Sequence, residues 1–217
     1  MTKHHINLWG SVLVLIIAMI VGLVLFGGKP IGPQTKISTT PPKAVSASDW
    51  IRGDITAQVV IVEYSDFQCQ ACGAYYPILK RLKEKFGAQV GFVYRHFPLS
   101  VVHSKANIAA MASEAAGQQG KFWEMHDLLF ERQKAWSGDF NVKETFIGYA
   151  RELQLEENKF SSDLDSATLQ DKISASYDEG ISIGINGTPT FYLNSERIPE
   201  LISYEEFENK ISEKLSQ

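Results

Sequence analysis

The stretch "EYSDFQCQACGAYYPILKRL", Glu63–Leu82, holds both cysteines of the 217-residue chain, Cys69 and Cys72. Just before it, "AQVVIVEYSDF" is a β-branched apolar run of the length of a buried strand. After the cysteines, Tyr76, Leu79, Leu82 and Phe86 recur at helical spacing, and Gly87 offers a C-terminal stop. "QVGFVYRHFPL" reads as a second strand. Strand, helix and strand with short joints make a βαβ unit, and therefore parallel pairing.

Helical patterns then dominate, from "HSKANIAAMASEAAGQQ" to "ATLQDKISASYDEGISIGI". Strand character returns in "TPTFYLN", Thr188–Asn194, followed by a turn at "NSE", a short edge strand at "RIPE" and the amphipathic helix "YEEFENKISEKL". The order is βαβ, a helical block, then ββα. The block is far longer than one crossover needs, so it reads as a helical subdomain inserted at about 101–185.

Cysteines three apart on a first helical turn share a face, at a separation that suits a disulfide. With the helix starting near Gln70, the Cys69 sulfur faces unpaired backbone N–H groups and the positive end of the helix dipole. That placement favours a thiolate. Cys72, one turn in, is then less exposed and can resolve a mixed disulfide on Cys69. Two other readings stand beside redox exchange. A structural disulfide closing so small a loop is a weak staple. A zinc site needs four ligands, which His96, His103 and His126 complete only if the fold gathers them; no metal is expected. Cys-x-x-Cys between a strand and a helix favours the redox reading.

The N-terminus is of another character. "LWGSVLVLIIAMIVGLVLFGG", Leu8–Gly28, carries no charge and has the length of a membrane-spanning helix. A cleaved signal peptide is the rival reading, but its apolar core is usually shorter and ends in a small-x-small site. We expect a transmembrane anchor over 1–28, a flexible Pro/Ser/Thr-rich linker over 29–48 and a folded domain over 49–217. Lys3 precedes the apolar run, whereas Lys29, Lys36 and Lys43 follow it. Taken alone, that count places the domain in the cytoplasm.

The formal net charge is −4, and no Asp or Glu precedes Asp49, so the folded part holds 17 basic against 25 acidic residues. An acidic domain without a basic stripe is a poor nucleic-acid binder.

Taken together, "VIVEYSDFQCQACGAYYP", "YRHFPL", "HSKANIAAMASEAAGQQGKFWEMHDLLF" and "GINGTPTFYLN" resemble the DsbA-like thiol:disulfide oxidoreductases of the thioredoxin superfamily, which include membrane-anchored bacterial forms. The resemblance runs from Asp49 to about Leu215. It implies an α/β thioredoxin fold interrupted by a helical insertion, behind an N-terminal transmembrane helix. It also implies that Cys69 is the exposed nucleophile and Cys72 its resolving partner. Thr188–Pro189 then matches the loop whose proline is cis and lies beside the cysteines, presenting the Thr188 backbone to an extended substrate. A plain strand-starting proline is the alternative. Glu63, six residues before Cys69, matches an acidic residue that assists proton transfer at the buried cysteine. Independently, a carboxylate in the apolar run "VVIVEY" is unusual, and burial would raise its pKa. Pro77 is expected to kink the helix. Asp66 is read as a turn or capping residue, and His96, His103, Trp123 and His126 as packing or surface residues.

The sequence departs from the family at Gln70-Ala71, between the cysteines, where strong oxidases often carry Pro-His. Neither residue supplies a positive charge. The implied activity is a disulfide oxidase with no organic cofactor beyond the Cys69–Cys72 disulfide. It would face an oxidising compartment, act on reduced secreted or cell-surface proteins and be reoxidised by a quinone-linked membrane partner. Disulfides persist outside the cytoplasm, which is why this reading overrides the lysine count. A reductase or isomerase using the same pair, and an inert tethered peptide-binding module, are the alternatives.

Overall fold

The run VVIVEYS forms a strand because β-branched and aromatic residues suit a pleated surface buried on both faces. In the computed structural model, which describes residues 40–199 and 202–217 together with Val12, Leu13, Leu15, Ile16 and Met19, this strand is β2, Val59–Ser65. It follows a short β1, Trp50–Arg52, and leads into α1, Gln70–Phe86, and β3, Val90–His96. Gly87, with φ 56, ends α1 as expected, at a positive φ that glycine tolerates. The insertion comprises α2 (Ala106–Gly117), α3 (Phe122–Glu131), α4 (Gln133–Ser137), α5 (Val142–Glu152), α6 (Glu157–Asp163) and α7 (Ala167–Ser182). β4 (Thr190–Leu193), β5 (Glu196–Arg197) and α8 (Tyr204–Leu215) complete the domain.

Among the described residues five strands run in the order β1-β3-β2-β4-β5. β2 and β3 are parallel, as the βαβ reading requires, while β1–β3, β2–β4 and β4–β5 pair antiparallel. Alternation along β2 sorts its side chains between two faces. Val59 and Ile61 pack with Tyr75 and Leu82 of α1 and with Phe207 and Ile211 of α8. Val62 and Tyr64 pack on the other side with Phe97, Ile183 and Ile185. A third core lies within the insertion and reaches both cysteines and Phe67. Burying a side chain such as Leu82 contributes about 1.5–3 kcal/mol.

Three features differ from the expectation. β1 is too short to give a pattern of its own. It forms because the Trp50 ring stacks on Phe122, 4.3 Å between centroids, and its Nε1 donates to Glu114 at 2.6 Å. A Cβ on Gly117 would lie 2.4 Å from that ring. The edge strand is Glu196–Arg197 rather than the whole of "RIPE". Asn194 and Ser195, with φ of 46 and 72, make a two-residue turn that pairs Leu193 with Glu196. Of the expected linker, residues 29–39 lie outside the described residues, and its last residues are tied to the folded domain. The Lys43 N–H donates to Glu179 at 2.9 Å, Arg95 donates to the Lys43 carbonyl at 3.1 Å, and Ser46 and Asp49 form a turn.

Residues 1–37 form a unit separate from 38–217. Its five described residues are helical, apolar and exposed. Among the described residues no helix is long and apolar enough to cross a membrane. Apart from those five positions, the expected anchor lies outside the described residues.

Buried charge ties the insertion to the sheet. Glu114 on α2 is fully buried and accepts hydrogen bonds from Trp50, from His96 at 3.0 Å and from Lys172 at 2.9 Å. Burial alone would raise its pKa, but His96 and Lys172 hold it below the usual carboxylate value. Removing one member of such a cluster leaves its partners uncompensated. Glu114→Ala is expected to cost about 3–5 kcal/mol in urea unfolding, whereas Glu114→Gln, which keeps an acceptor, should cost clearly less.

Candidate functional site

Cys69 is the residue before the first turn of α1, with φ −68 and ψ 122. Its N–H donates to the Asp66 carbonyl at 3.1 Å, and its own carbonyl accepts the first helical bond, from Gly73 N–H, at 3.1 Å. This is the N-cap position, and its thiol makes no capping hydrogen bond; a thiolate there would face the N–H groups two and three residues on, Ala71 and Cys72. Asp66 is the turn residue expected. Its Oδ1 accepts from Gln68 N–H at 2.7 Å, and its Oδ2 from Leu99 N–H at 2.9 Å and from His103 Nδ1 at 2.7 Å.

Both cysteines are free thiols. Cys72 is fully buried, and Cys69 is more covered than an exposed nucleophile, at 7% exposure. Insertion helices and the loop before Pro189 roof it, while Gln70 and Ala71 remain exposed. The Thr188–Pro189 peptide is cis. The Cys69 thiol donates to the Thr188 carbonyl at 3.3 Å. Beside it lies a cavity of about 350 Å³ lined by Ala71, Tyr75, Thr188, Pro189, Phe191 and Ile198, among others.

The two thiols are driven apart. Cys69 is held down to about 5, first by the Cys72 thiol, which can donate to a Cys69 thiolate, and then, against its burial, by Thr188 and the N–H groups of Cys72 and Ala71. Cys72 is pushed well above its usual value by burial and by the neighbouring Cys69. Glu63 lies on the β2 face that carries Val59 and Ile61, in register with Tyr94 on one side and Phe191 on the other. Burial raises its carboxyl to about 7, against a lowering by Ser65. Ser65 Oγ and Tyr94 OH lie on the same sheet face, buried and without a hydrogen-bond partner among the described residues. A carboxyl that titrates near neutrality beneath a buried thiol can exchange a proton with it.

The structure therefore brings Cys69, Cys72, Glu63, Thr188 and Pro189 to one place and leaves Gln70 and Ala71 at its exposed rim. Pro77 lies within α1. His96 and His126 pack inside and Trp123 is half-buried against His126: His126 lies among Phe67, Tyr94, Trp123 and Phe130, and burial lowers its pKa. His103 is half-buried and bound to Asp66. Sequence reading missed Ser65, whose period-two spacing from Glu63 was a usable signal. It also missed Gln133, for which no local signal exists.

A thiol pair at a helix N-terminus, facing a cis-proline loop on a mixed five-stranded sheet, defines a thioredoxin-fold dithiol protein. A thioredoxin family model matches residues 46–213, and the chain belongs to that family. Oxidised BdbD of Bacillus subtilis shares the fold with a TM-score of 0.72 at 23% identity, over 83% of this chain and 98% of that one. Wolbachia pipientis alpha-DsbA1 does so with a TM-score of 0.71 at 21% identity, over 80% and 94%. In sequence, 149 residues are 40% identical to a Na(+)/H(+) antiporter NhaA 1 of Salinispora arenicola, covering 69% of this chain and 22% of that protein. The chain thus spans under a quarter of the length of that antiporter.

The Glu63 environment gives a pH-dependent signature. The carboxyl titrates near 4.5 in an unfolded chain and near 7 in the fold. Between these values the unfolded chain has released a proton that the folded chain still holds, so stability falls as pH rises through this window. Glu63→Gln is expected to stabilise the reduced protein by about 3 kcal/mol at pH 8 and hardly at all at pH 4. Thermal melts at the two pH values check this, and an equal gain at both would show that burial of Glu63 charge is not the cause.

Proposed function

We propose that this chain is a membrane-anchored thiol:disulfide oxidoreductase that donates the Cys69–Cys72 disulfide to extracytoplasmic proteins. The observation that carries the reading is the geometry of the thiol pair: Cys69 at the N-cap of α1 against the cis Thr188–Pro189 loop, and Cys72 fully buried one turn in. The Cys72 thiol and the first-turn N–H groups lower the Cys69 pKa, and burial raises that of Cys72. A stabilised thiolate favours the reduced state and makes the disulfide a better oxidant.

In the forward step a substrate thiolate attacks Cys69 Sγ. The Cys69–Cys72 bond breaks, a mixed disulfide forms on Cys69, and the electron pair leaves on Cys72 Sγ. Cys72, in its apolar setting, takes the proton of the Glu63 carboxyl. A second substrate thiolate then attacks the substrate sulfur of the mixed disulfide, and Cys69 departs as a thiolate. The cavity beside Thr188 and Pro189 offers an extended substrate the Thr188 backbone and an apolar wall. No organic cofactor enters these steps. A quinone-linked membrane reoxidase would restore the disulfide.

The anchor and the outward-facing domain belong to the same proposal. The uncharged Leu8–Gly28 run supports the anchor, and the chemistry supports the orientation against the lysine count. A reporter fused after Gln217 and found in the cytoplasm would refute the orientation. Antiport is not carried over to this chain, because its match covers only 22% of the antiporter.

One observation favours electron flow in reverse, as a reductase or isomerase. Gln70 and Ala71 add no positive charge beside Cys69, so thiolate stabilisation rests on hydrogen bonds and N–H groups. The reduction potential of the pair against glutathione buffers decides the direction. A value above about −200 mV supports a net oxidase, and one near −270 mV or below a reductase. Cys69→Ala is expected to abolish turnover of a reduced test protein, and Cys72→Ala to accumulate a mixed disulfide on Cys69. Retained turnover in Cys69→Ala would overturn the catalytic reading, leaving a tethered binding module.

A further inference from the structure

The nucleophile's turn is gripped from outside the thioredoxin core. Gln133, the first residue of α4 in the insertion, is buried and points its side-chain amide at this turn. Nε2 carries two hydrogens, and it donates at 2.7 Å to the Phe67 carbonyl and at 2.7 Å to the Cys69 carbonyl. The two acceptors flank Gln68 and lie 66 and 64 residues away in sequence. The approach is close enough to need Gly73: a Cβ there would lie 2.5 Å from Gln133 Oε1.

The support behind Gln133 is rigid. Trp136, on the same short helix, is fully buried and donates from Nε1 to the Leu129 carbonyl at 2.7 Å. Lys105 Nζ donates to the Ser137 carbonyl at 2.7 Å, and the Lys105 N–H donates to Gln68 Oε1 at 2.7 Å. Residues 67–69 are thus held by the insertion at three points.

We propose that Gln133 is a positioning residue for thiol–disulfide exchange, through which the helical insertion sets the conformation and hence the reactivity of Cys69. The inference rests on the reading of Cys69 as the reactive thiol. No hydrogen bond joins the Cys69 thiol to the first-turn N–H groups. The Ala71 and Cys72 N–H groups lower its pKa, and they can serve a thiolate only while Cys69 keeps its extended N-cap conformation. Its carbonyl accepts one bond from Gly73 N–H and a second from Gln133. The second bond pins the peptide plane after Cys69, which the first helical bond alone leaves free to tilt. Without Gln133 two carbonyls lose a donor at a covered site, and the turn relaxes to recover one. A purely space-filling residue would need neither donor.

The test uses the full-length reduced chain in detergent. Gln133→Met keeps length and apolar volume but removes both donors. Thiolate absorbance against pH and the equilibrium of the pair with glutathione are measured beside wild type. The expected result is a Cys69 titration moved up by about one unit, a tenfold smaller thiolate-to-thiol ratio at a given pH, on the scale of one lost hydrogen bond. The glutathione equilibrium should move about tenfold toward the disulfide form. If Gln133→Met merely lowers the melting temperature, with titration and equilibrium matching wild type, Gln133 is a packing residue and the inference is overturned. Should Gln133→Met fail to fold, Gly73→Ala displaces the amide from the opposite side. The same upward titration is then expected, and an unmoved one overturns the inference. Both readouts report on the cysteine pair itself and need no substrate protein. A wild-type chain with no thiolate near neutral pH would instead sink the functional reading, and this inference with it.

Discussion

Parallel pairing of β2 with β3 is the constraint on which the site depends. A parallel pair cannot be closed by a tight turn and needs a crossover, which here is α1. The crossover starts where β2 ends, so the N-terminus of α1 lies over the carboxyl edge of the central strand. Cys69 therefore meets free N–H groups, and Cys72, one turn later, is pressed down toward the sheet. The same register sets Glu63 beside Tyr94, beneath the helix that carries the cysteines. A thiolate-favouring end, a thiol-favouring interior and a carboxyl that titrates near neutrality all follow from one pairing.

The second half of the site comes from the other end of the chain. β4 pairs antiparallel with β2, with Phe191 opposite Glu63, and this brings Thr188 and Pro189 against Cys69. The hydrogen bond from the Cys69 thiol to the Thr188 carbonyl spans 119 residues. An acceptor for the thiol and hydrogen-bond donors for the thiolate thus coexist at one sulfur. Such a site can accommodate both protonation states of the reduced sulfur.

The insertion shields the site as well as decorating it. It covers Cys69 and supplies the Gln133 amide. Its α2 and α7 hold charges that lock it to the sheet through Arg95, His96 and Trp50. Glu179 shows the reach of this network: it accepts from Tyr64 OH and from the Lys43 N–H, so it joins β2, α7 and the chain entering the domain. The domain therefore begins structurally at about Lys43, before the first strand.

Much of this was legible in residue order. Apolar β-branched runs located β2, β3 and β4, and helical spacing located α1 and α8, because a strand buried on both faces leaves a continuous apolar run and a helix buried on one face leaves a 3.6-residue period. The Cys-x-x-Cys spacing, the carboxylate in an apolar strand and the proline before β4 marked the site, because each is chemically costly in its local setting and so stands out there. The tertiary structure alone decided the rest. β1 exists through a Trp50 ring that needs Phe122, Glu114 and Gly117 from the insertion. The covering of Cys69, and the two donors Gln133 offers to its turn, depend on residues more than sixty positions away. No local pattern encodes such pairings, since a glutamine in a polar helical stretch looks the same whether it faces water or the Cys69 turn. Sequence by itself determined which groups could do the chemistry; packing determined how tightly they are held to it.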